Sequence, residues 1–202
     1  IHGALCVCYS GRCLMSSIIG QRSGNRGRCA QPCRMEYSLL EDDKTLKSGY
    51  LLSPKDISTA EILDKVLATG VDSLKIEGRM KSPEYVYQVV STYRKYVDEV
   101  MENGTLTIDK EDISNLTQIF NTGGSSSHGY YDTYSSLNML SKSPKSSGVE
   151  IGVVTGYNPK NKRCSIKLSR PVTAGDGIEI WSKQHTGTGV NQTAGVGSTI
   201  SV

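Results

Sequence analysis

The sequence has no run of about 20 apolar residues, so no membrane-spanning helix is expected. No basic segment followed by an apolar one opens it, and the chain reads as soluble and cytosolic, hence cytoplasmic. Charge of neither sign dominates. The 23 Lys and Arg against 20 Asp and Glu leave a formal +3, and the pI near 8.5 falls below the value of about 9 that would alone mark a nucleic-acid binder. A case for RNA must rest on local clustering. Six cysteines in 202 residues are too few for a disulfide-rich secreted scaffold. The sequence has no internal repeat, no H-E-x-x-H zinc motif and no G-x-S-x-G nucleophile elbow, which disfavours a peptidase on mechanism.

What is present is concentrated near the start. Five of the six cysteines fall within the first 33 positions, in "HGALCVCYSGRC" and "CAQPC". Such crowding argues for a site rather than a staple. Cys6, Cys13, Cys29 and Cys33 form a set of four soft thiolate donors suited to a tetrahedral zinc or an iron–sulfur cluster. Their spacing does not choose between the two, although the lack of paired C-x2-C knuckles leans towards a cluster. Cys8 is a spare fifth thiol, and Cys164, alone in "KNKRCSIKL", reads as a packed strand residue.

Residues 20–34 combine Gly, Pro and four arginines with almost nothing apolar, so an irregular loop is expected. Arg22, Arg26, Arg28 and Arg34 would receive carboxylates or phosphates, or offset the charge of a thiolate-bound cluster. The stretches "EYSLLED" and "GYLLS" read as strands, and Ser53-Pro54 as a helix start with its stop at Gly70. "VDSLKIEGR" reads as a buried strand, followed by a long helix from Ser82-Pro83 to Gly104 with Val86, Val89, Val90, Tyr93, Val97 and Val100 or Met101 inward. Another helix is expected over 109–121, capped by Asp109, and a loop and linker over 122–148.

This alternation predicts α/β architecture with a parallel sheet over 1–145, and the short alternating runs that follow predict a small antiparallel β-domain over 146–202. Ile1-His2-Gly3 carries no initiator Met and reads as the end of a strand begun upstream. Lys75, Glu77 and Arg79 stand at the exit of the expected central strand, where α/β barrels build active sites. The competing reading is an ion pair at the barrel mouth. His2, beside the cysteines, is a further candidate, while His128 and His185 sit in loops and receive no role.

The blocks "HGALCVCYSGRCLMSS", "GNRGRCAQPCR" and "LKIEGRMKSPEYV", with Tyr93-Arg94, resemble the peptidase U32 family, the collagenase-like proteases, and "GDGIEIW" also looks familial. One departure is Thr122, where the family usually has Arg, in "FNTGG". The resemblance implies the C-terminal part of a TIM-type barrel whose first strands lie upstream in a parent protein, followed by the small antiparallel β-domain. It implies oxygen-independent hydroxylation of a tRNA or rRNA base with prephenate as hydroxyl source, although relatives also hydroxylate a quinone precursor. It assigns a 4Fe–4S type iron–sulfur cluster to Cys6, Cys13, Cys29 and Cys33, with zinc as the alternative. On this reading the arginines take a small carboxylate cosubstrate or phosphate, and Lys75, Glu77, Arg79 and His2 serve catalysis. A peptidase, or a non-catalytic fragment binding RNA or protein, are the competing functions.

Overall fold

The structure is a computed structural model that describes residues 1–78, 80–126, 139–182 and 185–202. The chain divides into two compact units, Ile1–Gly148 and Val149–Val202.

The first unit is built around β1 (His2–Gly3), β4 (Asp56–Ser58) and β5 (Ser125–Ser126), in the order β1-β4-β5. β4 and β5 are parallel, whereas β1 and β4 pair antiparallel, His2 opposite Ser58 and Gly3 opposite Ile57. This corrects the expectation of a parallel sheet at that pair. Among its described residues "VDSLKIEGR" joins the sheet through a parallel bridge from Ile76 to His2, with Glu77 N–H donating to the His2 carbonyl at 2.8 Å. Among the described residues no closed barrel forms.

The remaining elements of this unit follow in chain order. Helix α1 (Leu14–Gly20) opens the cysteine and arginine loop, which closes through a 3₁₀ turn at Pro32–Arg34. A hairpin, β2 (Tyr37–Glu41) and β3 (Lys44–Gly49), follows, its reversal carried by Asp42 and Asp43, both at positive φ. "GYLLS" is therefore not a strand beyond Gly49. The expected helix start at Ser53-Pro54 is also displaced. That segment leads into β4, and helix begins only after Thr59, as a 3₁₀ turn at Ala60–Ile62 running into α2 (Leu63–Ala68).

Helix α3 (Pro83–Asn103) has the expected ends, with Ser82 accepting from Tyr85 N–H and Gly104 in the left-handed conformation. Val89 and Tyr93 are buried as expected, but the rest of the buried side differs. Tyr85, Val89, Tyr93 and Tyr96 pack with Ala60, Leu63 and Leu116, while Val86 and Val90 are exposed. The tyrosines are buried because their hydroxyls find partners. Tyr96 donates to Asp112 Oδ2 at 2.9 Å and accepts from Asp109 N–H at 3.1 Å, tying α3 to α4 (Lys110–Ile119).

The second unit contains the three-stranded antiparallel sheet β10-β7-β6, from β6 (Gly152–Asn158), β7 (Arg163–Leu168) and β10 (Thr199–Ser201). A hairpin of β8 (Gly177–Ile180) and β9 (Thr186–Gly189) accompanies it. Ile166, Leu168, Val172, Val190 and Ile200 form its own core.

Candidate functional site

The cysteine loop is held by its one buried hydroxyl. Ser16 Oγ donates to the Arg22 carbonyl at 2.6 Å and accepts from Ala30 N–H at 2.9 Å, pinning both ends of the loop. Arg22 Nε donates to the Arg28 carbonyl at 3.0 Å, and the side chains of Arg22, Arg26 and Arg28 are exposed. Arg34 is committed differently. Its guanidinium donates to Ser53 Oγ and the Pro54 carbonyl, each at 2.9 Å, and to the Leu5 carbonyl at 3.3 Å. It thereby ties both cysteine segments to the approach of β4, and this fork is structural.

All six cysteines are free thiols. Burial pushes the Cys33 thiol up, the Arg34 guanidinium opposes this, and Cys6 and Cys29 raise it further, so these three sulfurs share one electrostatic neighbourhood. Gln31, held at positive φ, directs its N–H to Cys29 Sγ at 3.2 Å, which fixes the position of that sulfur. Cys13 stands at the N-cap of α1. The donor set fits a thiolate-ligated metal or cluster in its chemistry. Among the described residues no group of three or more His, Cys, Asp or Glu is gathered closely enough to hold a metal ion.

The other candidates are separated. Lys75 and Glu77 form a surface ion pair at 3.3 Å, with side chains 83% and 46% exposed. Arg79 and His128 lie outside the described residues. His2 is buried, with Nδ1 3.3 Å from Tyr93 Oη and its ring edge-on to Tyr93. Burial, and secondarily the neighbouring ammonium of Ile1, lower its pKa to about 4. Tyr93 Oη also accepts the Thr59 N–H at 2.9 Å and donates to the Ile1 carbonyl at 3.1 Å, so His2 belongs to a buried hydrogen-bond network.

Asp56 was missed from the sequence. At the head of β4 it is 3% exposed, with Oδ2 accepting the Thr122 N–H at 3.0 Å and Oδ1 without a partner among the described residues. Thr122, the position where the family usually has Arg, thus lies against this carboxylate. Burial raises the Asp56 pKa against the Thr122 hydrogen bonds and the charges of Lys81 and Arg34. Lys81 Nζ sits 2.7 Å from the centroid of Phe120. Its pKa is lowered by burial, with Asp56 opposing, and it lines an open hollow of 710 Å³ with Ile76, Gly78, Pro83 and Val86. Tyr85 Oη donates to the Glu77 carbonyl at 3.3 Å, and burial followed by the Asp56 charge pushes its pKa up to about 12. The arrangement is a buried acceptor oxygen beside an amine and a guanidinium. The signal was hidden because "SPKDIS" reads as an exposed helix start.

A mixed α/β unit with a thiol-rich basic loop, joined in sequence to a small β unit, is the class of protein that these features define. The chain belongs to peptidase family U32, whose model matches residues 1–140. It is similar to tRNA hydroxylation protein P1 of Bacillus subtilis (strain 168), at 32% identity over 91% of this chain and 46% of that protein. It is similar to a collagenase of Porphyromonas gingivalis (strain ATCC BAA-308 / W83), at 41% identity over 60% of this chain and 31% of that protein. It is also similar to the 23S rRNA 5-hydroxycytidine C2501 synthase of Escherichia coli (strain K12), at 32% identity over 91% of this chain and 29% of that protein. The chain spans less than half the length of each of these relatives. No solved structure matches it. Among the described residues no helix is long and apolar enough to cross a membrane.

Proposed function

We propose that this chain is part of a cytoplasmic enzyme that hydroxylates a base in tRNA or rRNA without molecular oxygen. The observation that carries this reading is the 32% identity, over 91% of the chain, to a protein named for tRNA hydroxylation. The rRNA synthase, at the same identity and coverage, supports it from a second direction. The parent would supply the upstream half of a TIM-type barrel, this chain its C-terminal part and the accessory β-domain.

Cys6, Cys13, Cys29 and Cys33 would hold an iron–sulfur cluster of 4Fe–4S type, with zinc as the alternative metal. When bound, such a cluster supplies one-electron redox or Lewis-acid chemistry. The chain's own residues do the rest. Arg22, Arg26 and Arg28 present exposed guanidinium groups to a small carboxylate cosubstrate of the prephenate type, the hydroxyl donor, or to RNA phosphate. Arg34 fixes the loop on the approach of β4, and Gln31 N–H holds the Cys29 sulfur in place. Lys75 and Glu77 offer an exposed donor and acceptor at the end of the Ile76 bridge, with Arg79 two positions after Glu77 in the sequence. The second reading is a peptidase, favoured by the 41% identity to a collagenase over a shorter span.

Anaerobic purification of the full-length parent, with visible spectrum, iron and sulfide content, tests the cluster. About four irons, lost with Cys29→Ala, are expected. A colourless protein with one zinc or no metal overturns the cluster. Mass spectrometry of RNA from a deletion strain tests the activity. Loss of a hydroxylated base, unrestored by Cys13→Ala, is expected, whereas unchanged RNA together with casein or gelatin cleavage establishes the peptidase.

A further inference from the structure

The positive charge of this chain is unevenly placed. Residues 149–202 contain six Lys and Arg against three Asp and Glu, so this small unit accounts for the whole formal +3 and residues 1–148 are balanced. Two of its three carboxylates are already engaged: Asp176 accepts the Thr173 N–H at 2.8 Å, and Glu179 serves Trp181 and His185.

Strand alternation decides where the cations go. In β7, Ile166 and Leu168 enter the core, so Arg163, Ser165 and Lys167 share the opposite face. Directly opposed residues lie on the same face, which places Asn158 beside Arg163, Ser201 beside Ser165, and Val153 and Thr199 beside Lys167. Besides the exposed Val153, this face offers cationic, hydroxyl and amide groups and, among the described residues placed on it, no carboxylate. Such a surface suits a phosphate backbone and is poorly suited to an apolar protein partner.

The same unit carries a fixed aromatic platform. Trp181 directly follows β8 and is 60% exposed. Its Nε1–H donates to Glu179 Oε2 at 2.9 Å, and the His185 ring stacks on the indole at 5.1 Å with 16° between planes. Glu179 Oε1 also lies 3.4 Å from His185 Nδ1. One carboxylate therefore orients both rings, so a base stacking on the exposed indole meets a surface whose ordering cost is already met.

We propose that the unit Val149–Val202 is a single-stranded RNA-binding surface, on which Trp181, backed by His185, stacks an unpaired base while Arg163 and Lys167 hold phosphates. The proposal rests on the reading that RNA is the substrate and assigns RNA capture to a unit separate from the cysteine loop.

Trp181 is the only tryptophan in the sequence, so its emission reports base stacking directly. The whole chain is titrated with single-stranded oligouridylate and oligocytidylate, following tryptophan emission and, in parallel, anisotropy of end-labelled RNA at several salt concentrations. Saturable quenching is expected, with affinity falling linearly on a log–log salt plot. Trp181→Leu, read by anisotropy, weakens binding about 5- to 100-fold. The double variant Arg163→Glu, Lys167→Glu weakens it at least as much and flattens the salt slope by about 0.7 for each phosphate that is no longer neutralised. Absence of RNA binding, or variants that bind as the parent chain does, overturns the proposal, including the case where the face proves to dock a protein. The two readings fail separately. Binding lost in these variants alongside unchanged RNA in the deletion strain keeps the surface and removes the hydroxylase, and the reverse pattern removes only the surface.

Discussion

Two buried titratable residues give this fold opposite responses to pH. His2 is held near 4 against an ordinary 6.5, chiefly by burial, so the unfolded chain binds its proton more readily than the native one. Its contribution is therefore complete above pH 6.5 and is lost as pH falls towards 4, on the order of 3 kcal/mol for a shift of that size. Asp56 is raised above 3.8 by burial, so the native state holds its proton more tightly. That contribution is complete below 3.8 and declines as pH rises through the raised native value. Urea unfolding across pH 3.5 to 8, compared between the parent chain, His2→Phe and Asp56→Asn, separates them. His2→Phe keeps an aromatic ring against Tyr93 and should remove the loss on acidification between 6.5 and 4. Asp56→Asn should remove the opposing decline on alkalinisation. Parallel curves for all three proteins would show that neither group titrates between the states. The Asp56 result also bears on the hollow that Lys81 lines, because Lys81 gains its neighbouring charge only where that carboxylate is ionised.

At the scale of elements, helix ends are set by local chemistry and sheet membership is not. Asp109 accepts from Glu111 N–H at 2.8 Å, whereas Ser82 accepts from Tyr85 N–H at 3.4 Å. Asp109→Ala should therefore destabilise the first unit by about 1 kcal/mol and Ser82→Ala by less, read from helical circular dichroism during urea unfolding. An equal or reversed order would show that the caps are not governed by these hydrogen bonds. Both ends of α3 were legible in the sequence for the same reason: Ser-Pro before a helix and Gly after it act through neighbouring residues alone. The inward face of α3 was legible at Val89 and Tyr93 and not at Tyr85 and Tyr96, since hydrophobicity favours Val86 and Val90 over tyrosines whose hydroxyl partners come from Glu77, Asp109 and Asp112. The same limit hid β4 and with it Asp56. β4 exists because β1, more than fifty residues away in the chain, pairs with it, and nothing in "SPKDIS" encodes that partner. The Asp42-Asp43 reversal lacked the glycine that usually announces such a turn, so β3 was placed too late. Of the candidate site, the thiol and arginine loop was legible because its composition forbids regular structure. The commitment of Arg34 to carbonyls, and the stacking of His185 on Trp181, were not, because both depend on tertiary neighbours that spacing does not express.

At the scale of the whole molecule, two units with separate cores should melt as separate cooperative transitions. The chain provides a reporter for each. Helices α1 to α4 all lie in the first unit, so circular dichroism at helical wavelengths follows Ile1–Gly148, while the single tryptophan, Trp181, follows Val149–Val202. Ile200 is 1% exposed at the centre of the second core, and Ile200→Ala removes buried methyl and methylene groups at a cost of about 2 to 5 kcal/mol. The expected outcome in urea is a tryptophan transition moved to lower denaturant with the helical transition unchanged. Movement of both by the same amount would mean that the units unfold as one. Independence also has a functional consequence. If the second unit captures RNA and the first carries the thiol loop, Ile200→Ala should weaken RNA binding near the midpoint of its own transition while leaving the iron content of the anaerobically purified parent unchanged. A joint loss of RNA affinity and iron would tie the two sites to a single folding unit.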